Sequence, residues 1–432
     1  MSSVRIGMLT PSSNTCLEPV TYDLLHGSAT GTGNDLLHGS TAGTGKGTGT
    51  RSGTGSGEAA ATATATATAT AHFARVPVTR IALDSGSDAQ FDPAPMLAAA
   101  LQLADAQVDV IAWNGTSGSW LGVDRDRALC ESITAETGVP ATTSTLALLG
   151  ACAAYGVSSL GLAVPYTRDV AERIVRTYAK EGVACTLAEP LGISENEAFA
   201  RVPERDVARQ IEAAAAAGDT AGGAAGDAHA VAVVCTNVYG ARPAAELEPA
   251  LGIPVFDSVA ATLWQALDLA DAHPALPGHG DLLRSGSLRA RIQRALTELR
   301  GATGADRTTF RVDLPGHGLT VDLTAGEALG DGIRSIRRDA SLDQRRLNTV
   351  EWLEQHRRPL VQPHFRTDPQ PPQALVDVYG VHAQLLAPVE RDGAMAGWIS
   401  VHSMAEREWS EQDSAAVADA VARIHAALDD AH

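Results

Sequence analysis

Short apolar runs that each end in a small polar cluster, with helical stretches of roughly ten to fifteen residues between them, constrain this chain more than any other feature. Residues 4–10 (VRIGMLT) run into PSSNT, 108–114 (VDVIAWN) into GTSGS, and 159–165 (SLGLAVP) into Tyr166-Thr167. Residues 229–237 (HAVAVVCTN) carry their polar cluster at their own end. A continuous apolar run suits a strand buried on both faces, and helices between such strands require right-handed crossovers and a parallel sheet. FARVPVTRIAL (73–83) reads as a further strand, and amphipathic helices are predicted over 95–106, 124–137, 146–155 and 204–217. IPVFDS and a helix to about Ala272 close the set. In open parallel sheets the ligand crevice lies off the carboxyl ends of the strands, so the polar clusters are expected to converge there.

One segment breaks the pattern. DLLHGSATGTG at 23–33 is nearly repeated as DLLHGSTAGTG at 35–45, and Gly/Ser/Thr-rich sequence continues into an Ala-Thr run ending at Ala71. Such composition cannot bury enough apolar area to offset the entropy of ordering it. Residues 26–71 are therefore expected to be a disordered insert, read either as a ligand-grasping loop or as a repeat expansion that a surface loop tolerates.

The remaining composition excludes several classes. A net charge of -18 with no basic stripe argues against a nucleic-acid partner. No apolar run of about 18 residues is free of charges or Gly/Pro breaks, so no membrane span is expected. The five cysteines are scattered without a CxxC pair, and MSSVRIGMLTPSSN lacks a signal-peptide pattern. The expectation is a reduced, cytoplasmic protein without a metal site or other cofactor.

A second module follows the linker HPALPGHGDL. An amphipathic helix over 287–300 leads to a strand in GADRTTFRVDLPG, a hairpin over 381–403, and a closing helix over 407–428 with Ser410 and Asp413 at capping-box spacing.

Each polar cluster admits two readings. Cys235 is either an inert core thiol or a proton donor or nucleophile facing the crevice. Gly115, Thr116 and Ser117 lie in a loop that is either an anion nest or a plain turn capping the next helix. The Ser12-Ser13-Asn14 stretch is an anion cradle or a helix cap. Tyr166 donates a hydrogen bond to substrate or simply packs.

Taken together these segments resemble a known family. RIGMLTPSSNT, VIAWNGTSGSWLG, AVPYTRDVAERIVRTYAKEGV, LGISENEAFARV and VAVVCTNVYG…LGIPVFDS are similar, in order and spacing, to the arylmalonate decarboxylase and maleate isomerase branch of the aspartate/glutamate racemase superfamily. The resemblance covers about 4–25 and 72–275. It implies two Rossmann-like parallel-sheet halves around a central crevice, formed by residues 1–25 plus 72–280. Residues 285–430 resemble a GAF domain, an α+β fold, through APVERDGAMAGWISVHSMAEREWSEQD.

Carried over residue by residue, the resemblance makes Cys235 the second catalytic cysteine of the superfamily. It makes Thr116 and Ser117 oxyanion-hole residues and Tyr166 a carboxylate-binding tyrosine. Asn14 and Asn196 match polar residues of the isomerase type, and Thr236 lies with the backbone that holds a carboxylate beside Cys235. Gly115 departs from the isomerase pattern, standing where racemases and isomerases keep their first cysteine, so a cysteine there is expected to open two-sided proton exchange. The implied activity is cofactor-independent decarboxylation of a small malonate-type dicarboxylic acid, finished by one-sided protonation from Cys235. Two alternatives stand beside it: a maleate-type cis-trans isomerase or racemase, and a non-catalytic dicarboxylate sensor acting with the GAF-like domain. That domain is expected either to bind a small molecule or to make a dimer contact.

Overall fold

The computed structural model describes residues 3–26, 69–217, 228–274, 276, 278–366 and 368–431. Most of the expected insert, and the Gly-rich patch after the 204–217 helix, lie outside the described residues.

The first half is a parallel sheet of β1 (Val4–Pro11), β2 (Ala69–Val76), β3 (Val110–Trp113) and β4 (Ala141–Thr143), in the order β2-β1-β3-β4. Its helices are α1 (Leu17–His26), α2 (Ser85–Asp88), α3 (Pro93–Asp105), α4 (Gly118–Leu121), α5 (Val123–Thr137) and α6 (Ser144–Tyr155). The second half repeats the plan with β5 (Ser159–Ala163), β6 (Ala184–Leu187), β7 (Ala230–Val233) and β8 (Val255–Asp257), in the order β6-β5-β7-β8. It carries α7 (Arg168–Lys180), α8 (Asn196–Phe199), α9 (Glu204–Ala216), α10 (Ala241–Leu251) and α11 (Ser258–Leu269). Counted from its own first strand, each half has the same order, 2-1-3-4. One apolar core joins them: Ile6, Met8 and Ile111 belong to the same cluster as Leu160, Val231 and Phe256. Gly161 lets α9 lie close on β5, because a Cβ there would sit 2.5 Å from the Ala214 carbonyl oxygen.

Two boundaries differ from expectation. β2 starts at Ala69, inside the stretch assigned to the insert: the Ala-Thr alternation buries Ala69 and Ala71, exposes Thr70, and pairs with β1 from Val4. A period-2 pattern of small and β-branched residues is strand sequence once a neighbouring strand supplies the ladder. β2 also stops at Val76 instead of running to residue 83, because Pro77 has no N–H to continue the ladder. The repeat's first Asp23–His26 segment is the last turn of α1.

The back module opens with α12 (Asp281–Thr303), which starts six residues before the expected position at 287. Its first turn is set by tertiary contact: the Asp281 N–H donates to Glu248 Oε2 at 2.7 Å. β9 (Arg307–Val312), β10 (Gly326–Leu329), β11 (Leu360–Gln362), β12 (Ala383–Arg391) and β13 (Ala394–Ser403) make an antiparallel sheet in the order β10-β9-β13-β12-β11. The helices α13 (Asn348–His356), α14 (Ala374–Tyr379) and α15 (Glu411–Asp429) complete it. A separate core of Ile292, Leu296, Phe310, Val401 and Ile424 holds α12 and α15 to this sheet. The capping box is formed: Ser410 Oγ accepts from Asp413 N and Asp413 Oδ2 accepts from Ser410 N.

Among the described residues no helix is long and apolar enough to cross a membrane.

Candidate active site

The carboxyl ends of β1, β3, β5 and β7 meet. Thr236 Oγ1 donates to the Asn114 carbonyl at 2.9 Å, so the loop after β7 is tied directly to the loop after β3. Asn14, after β1, donates through Nδ2 to the Thr236 carbonyl and Oγ1 at 3.0 and 3.3 Å. Its Oδ1 accepts from Cys16 N and Leu17 N, capping α1. One amide thus caps α1 with its oxygen and ties that end to the loop after β7 with its nitrogen. Asn196 Nδ2 donates to Ser13 Oγ at 2.8 Å, and Ser13 Oγ donates to the Val78 carbonyl.

Cys235 lies at the centre, 2% exposed. Burial pushes its thiol up to about 12, while the Asn237 N–H on sulfur, 3.4 Å away, and the Tyr166 hydroxyl pull the other way. Burial favours the neutral thiol, and the two donors on sulfur favour the thiolate. Tyr166 Oη is 2.8 Å from Thr116 Oγ1, and burial raises the phenol well above its ordinary value. Tyr166 is therefore a neutral donor. Its ring packs against Trp120 and Phe199 with centroids 5.3 Å away in each case, giving the polar cluster an apolar wall.

Gly115 is glycine for a steric reason. A Cβ there would lie 2.4–2.5 Å from three atoms of the Trp113 indole, and Trp113 is fully buried. The indole Nε1 donates to Ser117 Oγ at 3.4 Å, so the same ring crowds Gly115 and orients Ser117. A cavity of about 160 Å³ opens beside this loop, lined by Phe91, Met96, Trp113, Ser117, Leu121 and Arg125 among others.

The arylmalonate decarboxylase family model matches residues 78–283, and a GAF domain model matches 287–428. The arylmalonate decarboxylase of Bordetella bronchiseptica is 34% identical over 175 residues, 40% of this chain and 70% of that protein. This chain belongs to the arylmalonate decarboxylase family. A maleate isomerase of Nocardia farcinica is 27% identical over 194 residues, covering 43% of this chain and 74% of that protein. The crystal structure of a cysteine-to-alanine variant of the maleate isomerase Iso from Pseudomonas putida S16 with maleate superposes with a TM-score of 0.50 at 21% identity, over 65% of this chain and 98% of that one. At that identity it attests the fold alone. The two parallel-sheet halves of this family are followed here by a GAF domain with an antiparallel sheet.

Several residues of this decarboxylase-family site escape sequence reasoning. Asn237 ties three segments together: Oδ1 accepts from Thr15 N at 3.0 Å and Cys16 N at 3.3 Å, and Nδ2 donates to the Asn196 carbonyl at 2.6 Å. Its only sequence signal is adjacency to Cys235 in a strand-end cluster. Cys16, fully buried just before α1, has its thiol pushed up to about 12 by burial, and a charge on it would raise Cys235 further. Trp113 announces itself only as the large residue two positions before an unexplained glycine. Among the described residues no group of three or more His, Cys, Asp and Glu side chains is placed to hold a metal ion.

Two buried carboxyls support the strand ends. Asp257 Oδ1 caps α11 through Val259 N and Ala260 N, while Oδ2 has no hydrogen-bond partner among the described residues. Burial raises Asp257 to about 7, and it raises Asp126, hydrogen-bonded to Thr143, to about 6. The folded state holds both protons more tightly than the unfolded chain. The contribution of these groups is therefore greatest below about pH 4, declines as pH rises, and is lost above about pH 7. Each unit is about 1.4 kcal/mol, so the loss is on the order of a few kcal/mol. Asp257→Asn, which keeps the cap acceptor, is expected to gain stability relative to the parent between pH 5 and 8. Parallel denaturation midpoints across that range would refute this.

Proposed function

We propose that this chain decarboxylates a small malonate-type dicarboxylic acid without a cofactor. The observation that carries the reading is the buried Cys235 thiol beside the Tyr166 and Thr116 hydroxyls, with the position across the loop at Gly115 crowded by the Trp113 indole. One carboxylate of the substrate would be held by Tyr166, Thr116 and the backbone around Cys235 and Thr236. The other would lie against the aromatic wall, where fixed dipoles replace its hydration and loss of CO₂ is favoured. As the C–C bond breaks, its electron pair moves into an enediolate stabilised by the hydroxyls of Thr116 and Ser117 and by loop N–H groups. The Cys235 S–H proton then passes to carbon, and the thiolate regains a proton from solvent. Trp120 Nε1, buried without a hydrogen-bond partner among the described residues, supplies one more donor beside Tyr166.

Cis-trans isomerisation of a maleate-type acid, or racemisation, is the second reading. Both amides that suggest it, Asn14 and Asn196, stand at the crevice. Addition of sulfur to a double bond needs a thiolate, however, and burial here favours the thiol.

The test is a panel of α-substituted malonates and maleate incubated in D₂O and followed by NMR. Decarboxylation releases CO₂ and leaves one deuterium at the α carbon. A fumarate vinyl signal from maleate would replace this reading with isomerisation. Binding without turnover of any compound would leave the front domain as a sensor.

A further inference from the structure

A larger cavity than the one beside the Trp113 loop lies away from Cys235, between the front domain and the GAF domain. It has a volume of about 620 Å³ and is walled by Tyr155, Glu248 and Pro254 on one side and by Leu319, Thr324 and Arg337 on the other. Domain interfaces of this size are where small molecules commonly bind.

Its charge is unbalanced. Arg284, Arg289, Arg337 and Arg338 face it with only Glu248 and Asp281, an excess of two positive charges in a chain of net charge -18. Both carboxylates are already engaged. Glu248 accepts the N–H groups of Val255 and Asp281, and Asp281 accepts from the Tyr155 hydroxyl at 2.8 Å and from Arg284. Arg289 stacks over the Tyr155 ring at 4.6 Å, pairs with Asp281 Oδ2 at 3.7 Å and donates to the His317 carbonyl at 3.3 Å. Arg337 is 8% exposed and donates to Gln293 and to the carbonyls of Ala154 and Ala325, none of them anionic. Arg338 makes no hydrogen bond or ion pair among the described residues. Asp281 is shared between Arg284 and Arg289, which leaves Arg337 and Arg338 without a carboxylate partner among the described residues of the cleft, and two such guanidiniums side by side cost free energy unless an anion joins them.

We infer that this interdomain cleft binds a small multivalent oxyanion, a carboxylate- or phosphate-bearing metabolite that touches both domains at once. Burial, and then the charge of Arg289, lower the Arg337 guanidinium to about 10, and the same two causes lower Arg338, as expected for a cluster awaiting negative charge. All four arginines belong to the back module, two on α12 and two beyond it, so the charge that grips the anion comes from that side, while Tyr155 and the Gly252–Pro254 turn of the front domain close the cleft over it. The inference does not rest on the decarboxylase reading.

The test is calorimetric titration of the full chain at low ionic strength with pyrophosphate and, separately, citrate. Saturable one-to-one binding of at least one is expected, and the tighter of the two names the group recognised. Arg338→Glu should weaken it by about tenfold or more, the loss of a charge-assisted hydrogen bond, and Arg338→Lys by less than about threefold. Thr116→Val, in the crevice, should leave it unchanged. The inference is overturned if neither anion saturates. It is also overturned if Arg338→Glu and Arg284→Glu, both melting like the parent, bind as tightly as the parent.

Discussion

Cys235→Ala is expected to remove turnover while leaving ligand binding measurable. Loss of a general acid costs about 10²–10⁴ in rate. Carboxylate binding rests on other groups, Thr116, Tyr166 and the loop backbone, which the substitution does not touch. kcat should therefore fall with little change in the dissociation constant, the pattern of a contact used only in the transition state. Cys235→Ser should not restore the rate, because a hydroxyl at that site is a far weaker acid than a thiol. Cys16 makes this test sharper than cysteine counting alone would. Like Cys235 it is closed off from solvent, so a residual rate that vanishes in the Cys16→Ala/Cys235→Ala double variant would identify it as a substitute donor. Full activity in Cys235→Ala would remove the mechanism altogether.

Gly115→Cys is expected to destabilise the fold rather than simply add a second thiol. Family resemblance alone implies that a cysteine at 115 opens proton exchange on both sides of the carbanion. In this chain the new Cβ would meet the Trp113 indole at 2.4 Å, and that ring, carried by the last residue of β3, is buried in the core. Overpacking of this kind costs typically ~1–3 kcal/mol, and more where the neighbour cannot move. A drop in the thermal midpoint is therefore the first expected result. Shrinking the ring should release the clash: in Trp113→Val/Gly115→Cys the two penalties should sum to less than their separate values, as coupled neighbours do. Racemisation of an α-substituted acid product is expected only in that double variant. A Gly115→Cys protein as stable as its parent would show that the indole has room to swing away.

The family's fold was legible because its signal is local. Continuous apolar strands and amphipathic helices read out one at a time, and strand-end clusters such as NGTSGS and CTN fall where a parallel sheet must put its crevice. Two of the misplaced boundaries have a common cause. Whether Ala69 joins a strand, or Asp281 starts a helix, depends on a partner distant in sequence: Val4 across the ladder in one case, the Glu248 carboxylate in the other. The early end of β2 has a local one, Pro77.

The candidate site divides along the same line. Residue types and strand-end positions were enough to mark Cys235, Thr116, Ser117, Tyr166 and Asn14 as candidates, whereas Asn196, at the start of α8, came only from the family resemblance. They could not say which amide caps a helix, which hydroxyl bonds which, or why position 115 lacks a side chain. Those are decided by three-dimensional packing: a Trp113 ring lying over Gly115, a Thr236 hydroxyl reaching Asn114, and burial keeping the Cys235 proton on sulfur. The sequence by itself determined the alternating strand-helix plan and the chemistry carried to its strand ends, because hydrophobic periodicity and side-chain type are properties of neighbouring residues. Only the tertiary structure decided the protonation, the crowding and the arginine-lined cleft, because desolvation, steric overlap and uncompensated charge arise between residues that the chain holds far apart.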